Sequence, residues 1–283
     1  MKFGGAVVVL FLALASPAQV QTEVPFHLID GWAIVLEGTL GGVPHQKMLI
    51  DTGAVPSAIN IKLARQLGLS GPPSGLSLMN RSISTERVHV PKVRLGPVAV
   101  ESLDMVAMDL GPIEQVLGTR INAVIGLDLL AKENFSLDYR GKSVNFGKTA
   151  PVVGTIAFET KQEGGGTYIL IPLESGGERI EVLLDTGTKD LMLFERRLTG
   201  GLRHLRSRAQ ILNLNAGGQD HLTEVELQSV KVGQLSRTKQ KAYVWATPED
   251  QLRSFDGLLG PAAFGVAVVG FDFDRHVISF ETR

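Results

Sequence analysis

Asp51-Thr52-Gly53 and Asp185-Thr186-Gly187 are the two segments where this chain concentrates reactive chemistry. Each Asp ends an apolar run, Leu49-Ile50 in one case and Leu183-Leu184 in the other. Each carboxyl therefore emerges from a hydrophobic wall at the end of a strand. The glycine beyond it removes a side chain where another backbone or a ligand must come close. The β-branched threonine between them suits a strand-like segment, and its hydroxyl suits a buried hydrogen bond. Two carboxyls held a few ångströms apart cannot both ionise easily, so they share one proton. One then acts as general base on a water, while the other, protonated, hydrogen-bonds a carbonyl oxygen.

For that chemistry the two segments must meet, and the chain repeats itself in a way that lets them. LIDTG at 49–53 recurs as LLDTG at 183–187, an offset of 134 residues. VIG at 124–126 recurs as LLG at 258–260, Asp138 as Asp272, and Phe146 as Phe280, all at the same offset. Glycine pairs at 41–42 and 176–177 precede the two motifs, and Gly96 in VRLG matches Gly233 in VKVG with a slightly longer spacing. A whole-length duplication is the economical reading, with halves at 19–150 and 151–283 joined near 149–153. WAIVLEGTL and QKMLI flank Gly41-Gly42 as a hairpin, and YILIPLE and IEVLL flank Gly176-Gly177 in the same way. Helical spacing from Ile61 to Leu67, stopped by Gly68, predicts a short helix, and LDLLAKEN after Gly126 predicts another. Alternation returns at Val144 and Phe146, and at Val277 to Phe280. The expected architecture is mainly β, two barrel-like halves about a pseudo-twofold axis with a few short helices.

Composition narrows the alternatives. The 283 residues are 44% hydrophobic and 20% charged, within the ordinary globular range. With 28 Lys and Arg against 29 Asp and Glu, no basic stripe offers a nucleic-acid surface. The Arg196 to Arg208 stretch reads as a solvated face. There is no Cys, which removes disulfides, thiol catalysis and Cys-bound metal. The six His never fall at a close metal-ligand spacing, so no metal is expected. GKS at 141–143 and GKT at 147–149 lack the earlier glycine of a phosphate-binding loop and read as turn residues. Trp32 and Trp245 read as core or rim packing. At the start, Lys2, the apolar run from Ala6 to Ala15 and small residues at Ala15, Ser16 and Ala18 form a secretory signal pattern within 1–18, cut after Ala15 or Ala18. The run is too short to span a bilayer, so an exported, periplasmic or extracellular product without stable membrane insertion is expected.

The paired DTG motifs, each followed by a hydrophobic-hydrophobic-Gly triplet, resemble the retropepsin and pepsin group of aspartic proteases, and in particular bacterial retropepsin-like aspartyl proteases. DTGA at 51–54, LARQLGL, IGLDLL and SLDYRGKSVNF carry the likeness in the first half, and DTGT at 185–188, NAGGQD and LLGPAAF in the second. The resemblance implies a pepsin-like bilobed fold and a peptide hydrolase without a cofactor, acting on a peptide or protein substrate. Asp51 and Asp185 would be the catalytic pair, with Thr52 and Thr186 bracing the two loops. Gly53, Gly187, Gly126 and Gly260 would allow close packing around them. Flap hairpins would lie near Asn80–Glu86 (Asn80, Arg81, Ser82, Ile83) and near Asn215–Asp220 (Ala216, Gly217, Gly218). The fourth motif position differs between halves, Ala54 against Thr188. Thr188 either donates to the outer oxygen of its carboxylate or only packs. Unlike pepsins, the chain has no Cys and no Tyr between 76 and 91. Joined halves imply a monomer that pairs within one chain. The alternative of a different class is a catalytically silent peptide-binding module, whose sequence sign, loss of one Asp, is missing here.

Overall fold

Apolar alternation becomes strand along most of the chain. The computed structural model describes residues 22–78, 81–147, 154–163, 166–246 and 253–282. The signal pattern at 1–18, the junction at 149–153 and Asn80 lie outside them. The first half runs β1 (Thr22–Pro25), β2 (His27–Ile29), β3 (Ala33–Leu40), β4 (Val43–Ile50), β5 (Ala58–Asn60), α1 (Ile61–Gln66), β6 (Pro73–Ser77) and β7 (Ser82–Leu95). It continues with β8 (Val98–Met108), α2 (Gly111–Leu117), β9 (Ala123–Ile125), α3 (Leu127–Leu130), β10 (Phe135–Asp138) and β11 (Ser143–Phe146). The second half opens with β12 (Thr155–Ala157), β13 (Glu159–Glu163), β14 (Gly166–Ser175), β15 (Glu178–Leu184), β16 (Leu191–Phe194) and β17 (Ser207–Asn215). It closes with β18 (Gly218–Val232), β19 (Leu235–Trp245), β20 (Gly257–Leu259), β21 (Val266–Asp272) and β22 (Val277–Thr282).

The expected hairpins at Gly41-Gly42 and Gly176-Gly177 join β3 to β4 and β14 to β15, with all four glycines at positive φ. The short helices form where periodicity placed them. Asn60 caps α1 by accepting the Lys62 N–H at 3.0 Å, and the chain leaves the helix through Gly68 at φ +70°. Helix α2 is an addition to the sequence reading. Pro112 sits in its first turn and Gly118, left-handed at φ 62°, ends it, so its boundary signals are ordinary ones.

Two eight-stranded sheets form the two halves. Their orders, β2-β3-β4-β9-β5-β8-β7-β6 and β13-β14-β15-β20-β16-β19-β18-β17, correspond strand for strand. In each, one further pairing closes the sheet on itself, Thr39 with Arg94 in the first and Glu174-Ser175 with Lys231-Val230 in the second. A third, six-stranded sheet, β1-β11-β10-β21-β22-β12, takes three strands from each half. At its centre β10 pairs antiparallel with β21, and Ser136 stands opposite Gly270, its own counterpart at the 134-residue offset. The pseudo-twofold axis passes through that pair. Phe135 and Phe271 stack across it at 4.5 Å, both fully buried. Among the described residues no helix is long and apolar enough to cross a membrane.

Because Phe135 ties one half to the other, Phe135→Ala should lower the unfolding free energy by about 3–5 kcal/mol, as large-to-small core changes do. Denaturant titration of the purified protein measures it. A loss below about 1 kcal/mol would mean that this sheet does not hold the halves together.

Candidate active site

In each half the strand carrying the motif and the strand after it are separated by a third. β9 lies between β4 and β5, parallel to β4, and β20 lies between β15 and β16 in the same way. The connection from β4 to β5 must therefore pass over the end of β9, and that connection is the Asp51-Thr52-Gly53-Ala54 loop. Gly126 follows β9 directly under it. A Cβ at Gly126 would stand 1.7 Å from the Ala54 carbonyl oxygen, and one at Gly260 would stand 2.2 Å from that of Thr188. No other residue fits beneath either crossing. The Asp51 N–H donates to Ile125 O and the Asp185 N–H to Leu259 O, each at 3.0 Å, which fixes where each carboxyl begins.

The two loops hold each other across the axis. The Thr52 N–H donates to Thr186 Oγ1 at 3.0 Å, and the Thr186 N–H donates to Thr52 Oγ1 at 3.1 Å. Each hydroxyl then donates onward, Thr52 to Leu184 O at 2.7 Å and Thr186 to Ile50 O at 3.0 Å. Both threonines are essentially unexposed, so these four bonds are made away from water. Each glycine admits the opposite carboxyl. A Cβ on Gly187 would lie 2.4 Å from Asp51 Cγ, and one on Gly53 would lie 2.6 Å from Asp185 Cγ. The Gly53 N–H donates to Asp51 Oδ1 at 2.9 Å and the Gly187 N–H to Asp185 Oδ1 at 2.7 Å.

Asp51 and Asp185 are thus brought into hydrogen-bonding contact. Burial raises the pKa of both. Asp185 stands well above the ordinary aspartate value, first because it is buried and then because the Asp51 charge and hydrogen bond oppose its ionisation. For Asp51 burial is opposed by hydrogen bonds from Asp185, Gly53 and Ala54 that stabilise its charged form. One proton is shared by the pair, because burial and the neighbouring carboxyl both oppose ionisation of the second group.

Behind Asp51 the first half adds a network without a counterpart in the second. Ser57 donates through Oγ to Asp128 Oδ1 at 2.5 Å and through its N–H to Oδ2 at 2.7 Å, and it accepts the Gly126 N–H at 2.9 Å. The equivalent positions are Leu191 and Ala262, and the Gly260 N–H goes instead to the Asp190 carbonyl at 3.1 Å. Of the two roles open to Thr188, the structure shows the packing one. Its hydroxyl turns to Met192 Sδ at 3.5 Å, which leaves no donor on the outer oxygen of Asp185 from this residue.

The carboxyls open into a cleft of about 500 Å³ between the halves. Trp32, Leu49, Met108 and Leu117 form one wall, and Tyr168, Tyr243, Trp245 and Leu258 the other. Both tryptophans face this space, an outcome their packing role did not reveal. Two hairpins cover it. The first, β6 to β7, turns where the Leu78 N–H donates to Arg81 O at 2.9 Å, and its rising arm, Leu76 to Leu78, lines the cleft. Ser82 and Ile83, expected there, form the second arm of this hairpin opposite Ser77 and Leu76, and it is the first arm that lines the cleft. The second, β17 to β18, brings Ala216 and Gly217 to the cleft. The tips meet: Arg81 Nη2 lies 2.9 Å from where a Gly218 Cβ would stand. Among the described residues no cluster of His, Cys, Asp and Glu could hold a metal.

A family model described as aspartyl protease matches residues 36–129, a span that holds Asp51, the Ser57–Asp128 network and Gly126. The match supports an aspartyl protease family and a protease-like function. Comparison with curated proteins gives no match.

Two outcomes follow from the site. Thr186→Val keeps the shape and deletes the hydroxyl, leaving the Thr52 N–H and Ile50 O buried without partners. It should cost about 1–3 kcal/mol of stability, and denaturation indistinguishable from the parent would show that the brace is not real. The second concerns pH. An acid with a raised folded-state pKa stabilises the fold while protonated, and that contribution disappears as pH rises from the unfolded value through the folded one. Relative to Asp185→Asn, the parent should lose stability as pH climbs from 3.8 towards neutrality. Parallel stability curves for the two proteins would contradict a shared proton.

Proposed function

We propose that this chain is an exported aspartic endopeptidase of the retropepsin-like kind, its two halves being the products of a duplication. The observation that carries the reading is the reciprocal threonine brace holding Asp51 and Asp185 together around one proton. Asp51, ionised, takes a proton from a water. The water oxygen adds to the carbonyl carbon of a peptide bond, and the Asp185 proton hydrogen-bonds the carbonyl oxygen as it gains charge. The proton Asp51 took passes to the amide nitrogen, the C–N bond breaks as the tetrahedral carbon becomes a carboxyl group, and the pair returns to its starting state. The hairpins give an extended peptide two covers that admit it and then exclude water. The apolar walls favour hydrophobic side chains on both sides of the bond, and the matching halves support a single chain as the active unit. Export rests on Lys2 and the apolar run from Ala6 to Ala15.

Asp51→Asn and Asp185→Asn should each lower peptide cleavage roughly 10²–10⁴-fold with the fold retained. A diverse peptide library read by mass spectrometry, with circular dichroism as the check on folding, measures this. Cleavage at parental rate by either folded variant would remove the two-carboxyl mechanism.

A further inference from the structure

The second wall of the cleft holds a cation that the chemistry above does not use. Arg253 is 7% exposed and lines the cleft beside Tyr168, just before the Phe255 that packs on that tyrosine. Its Nη2 donates to the Ser77 carbonyl of the first hairpin at 2.7 Å. Nη1 stands 3.6 Å from Glu163 Oε1, an ion-pair distance beyond a hydrogen bond. Glu163 directs its other oxygen to the N–H and hydroxyl of Ser254. Nε has no hydrogen-bond partner and is the only buried side-chain atom so left among the described residues. A guanidinium placed in an apolar wall with its donors half used is poor packing for a core. It suits the reception of a planar anion, for which its fork of donors is shaped.

We propose that Arg253 determines specificity by receiving a carboxylate of the bound peptide, either an acidic side chain or the C-terminal group, in the part of the cleft between Tyr168 and Ser77. The proposal rests on the endopeptidase reading for its substrate class. Charge alone would not select the ligand, because Glu163 already pairs with Arg253 and Asp51 and Asp190 line the same cleft. Selection comes from the hydrogen bonds of the guanidinium, which a carboxamide cannot satisfy as an acceptor pair. A Glu should therefore be preferred to an isosteric Gln.

The experiment walks one Glu along a cleaved peptide, each paired with its Gln twin, and each made with a free and an amidated C-terminus. At one register the parent should show kcat/KM for Glu at least about tenfold above Gln. If the C-terminal group is the ligand, the free acid should be preferred to the amide instead. Arg253→Met should bring the ratio to about one, chiefly by losing the acidic substrate, and Arg253→Lys should leave an intermediate value. The same peptides are bound to Asp51→Asn by fluorescence anisotropy, which reads the preference without cleavage. A parent that cleaves nothing, beside an Asp51→Asn protein that binds acid over amide, would sink the peptidase reading and sustain Arg253 as the selector. Equal treatment of acid and amide at every register, or a preference that survives in Arg253→Met, would overturn the proposal. Should Arg253→Met fail to fold, the parental ratio and Arg253→Lys decide alone.

Discussion

Two carboxyl groups buried against each other are unfavourable unless the surrounding backbone leaves them no alternative, and this constraint organises the molecule. Separating the carboxyls would relieve repulsion and restore hydration, so the loops must be held together by something stronger than contact. The four threonine hydrogen bonds supply it, and each is made where no water can replace it. The glycines serve the same end by removing every Cβ that would keep the loops apart. Beneath them the central sheet joins the halves through backbone pairing and stacked phenylalanines, so that separating the carboxyls requires opening a core.

Symmetry stops at the backbone. The strand orders correspond one to one, yet the side chains that finish each half differ. Ser57 and Asp128 stiffen the loop behind Asp51, whereas at the matching place in the second half the Gly260 N–H meets only the Asp190 carbonyl. One core beside the cleft is aliphatic, built on Val35, Leu49, Val106 and Val124. The other is aromatic, built on Tyr168, Phe194, Tyr243, Trp245 and Phe255. The two sides of the cleft are thus different surfaces, although the two halves share one strand order.

How much of this could be read from residues alone depends on the range of the forces involved. Motifs set by local chain geometry were legible: an apolar run that stops at Asp-Thr-Gly, glycine pairs in hairpins, and a glycine after three-residue strands β9 and β20. The repeat offset located both carboxyls and both threonines on one axis, since a sequence repeat turns a long-range contact into a spacing. Side chains that meet across the cleft were not legible. Trp32 and Trp245 are apolar in either setting, and only the fold decides that they face a ligand space. Which arm of the first hairpin lines the cleft was not legible either, since Leu76 and Ile83 stand opposite each other and are equally apolar. Whether Thr188 donates to its carboxylate or only packs is not fixed by its type, and the turn into β16 brings Met192 to its hydroxyl. Helix α2 carried Pro112 and Gly118 as boundary marks, and its seven residues are too few for periodicity to stand out.

The pairing of Ser136 with Gly270 has a consequence for the origin of such a chain. Strand β10 is complete as an edge only when an antiparallel strand of matching register lies beside it, and β21 is its own equivalent. A first half made alone would expose Phe135 and Leu137 on that open edge, and the surface that best fits them is the same edge of another copy turned through half a revolution. Self-association would rebuild the floor, place two Thr52 hydroxyls opposite each other and return two Asp51 carboxyls to one centre. Joining two such halves in one chain would therefore ask for no new contact. It would make an encounter between molecules permanent and free each half to differ.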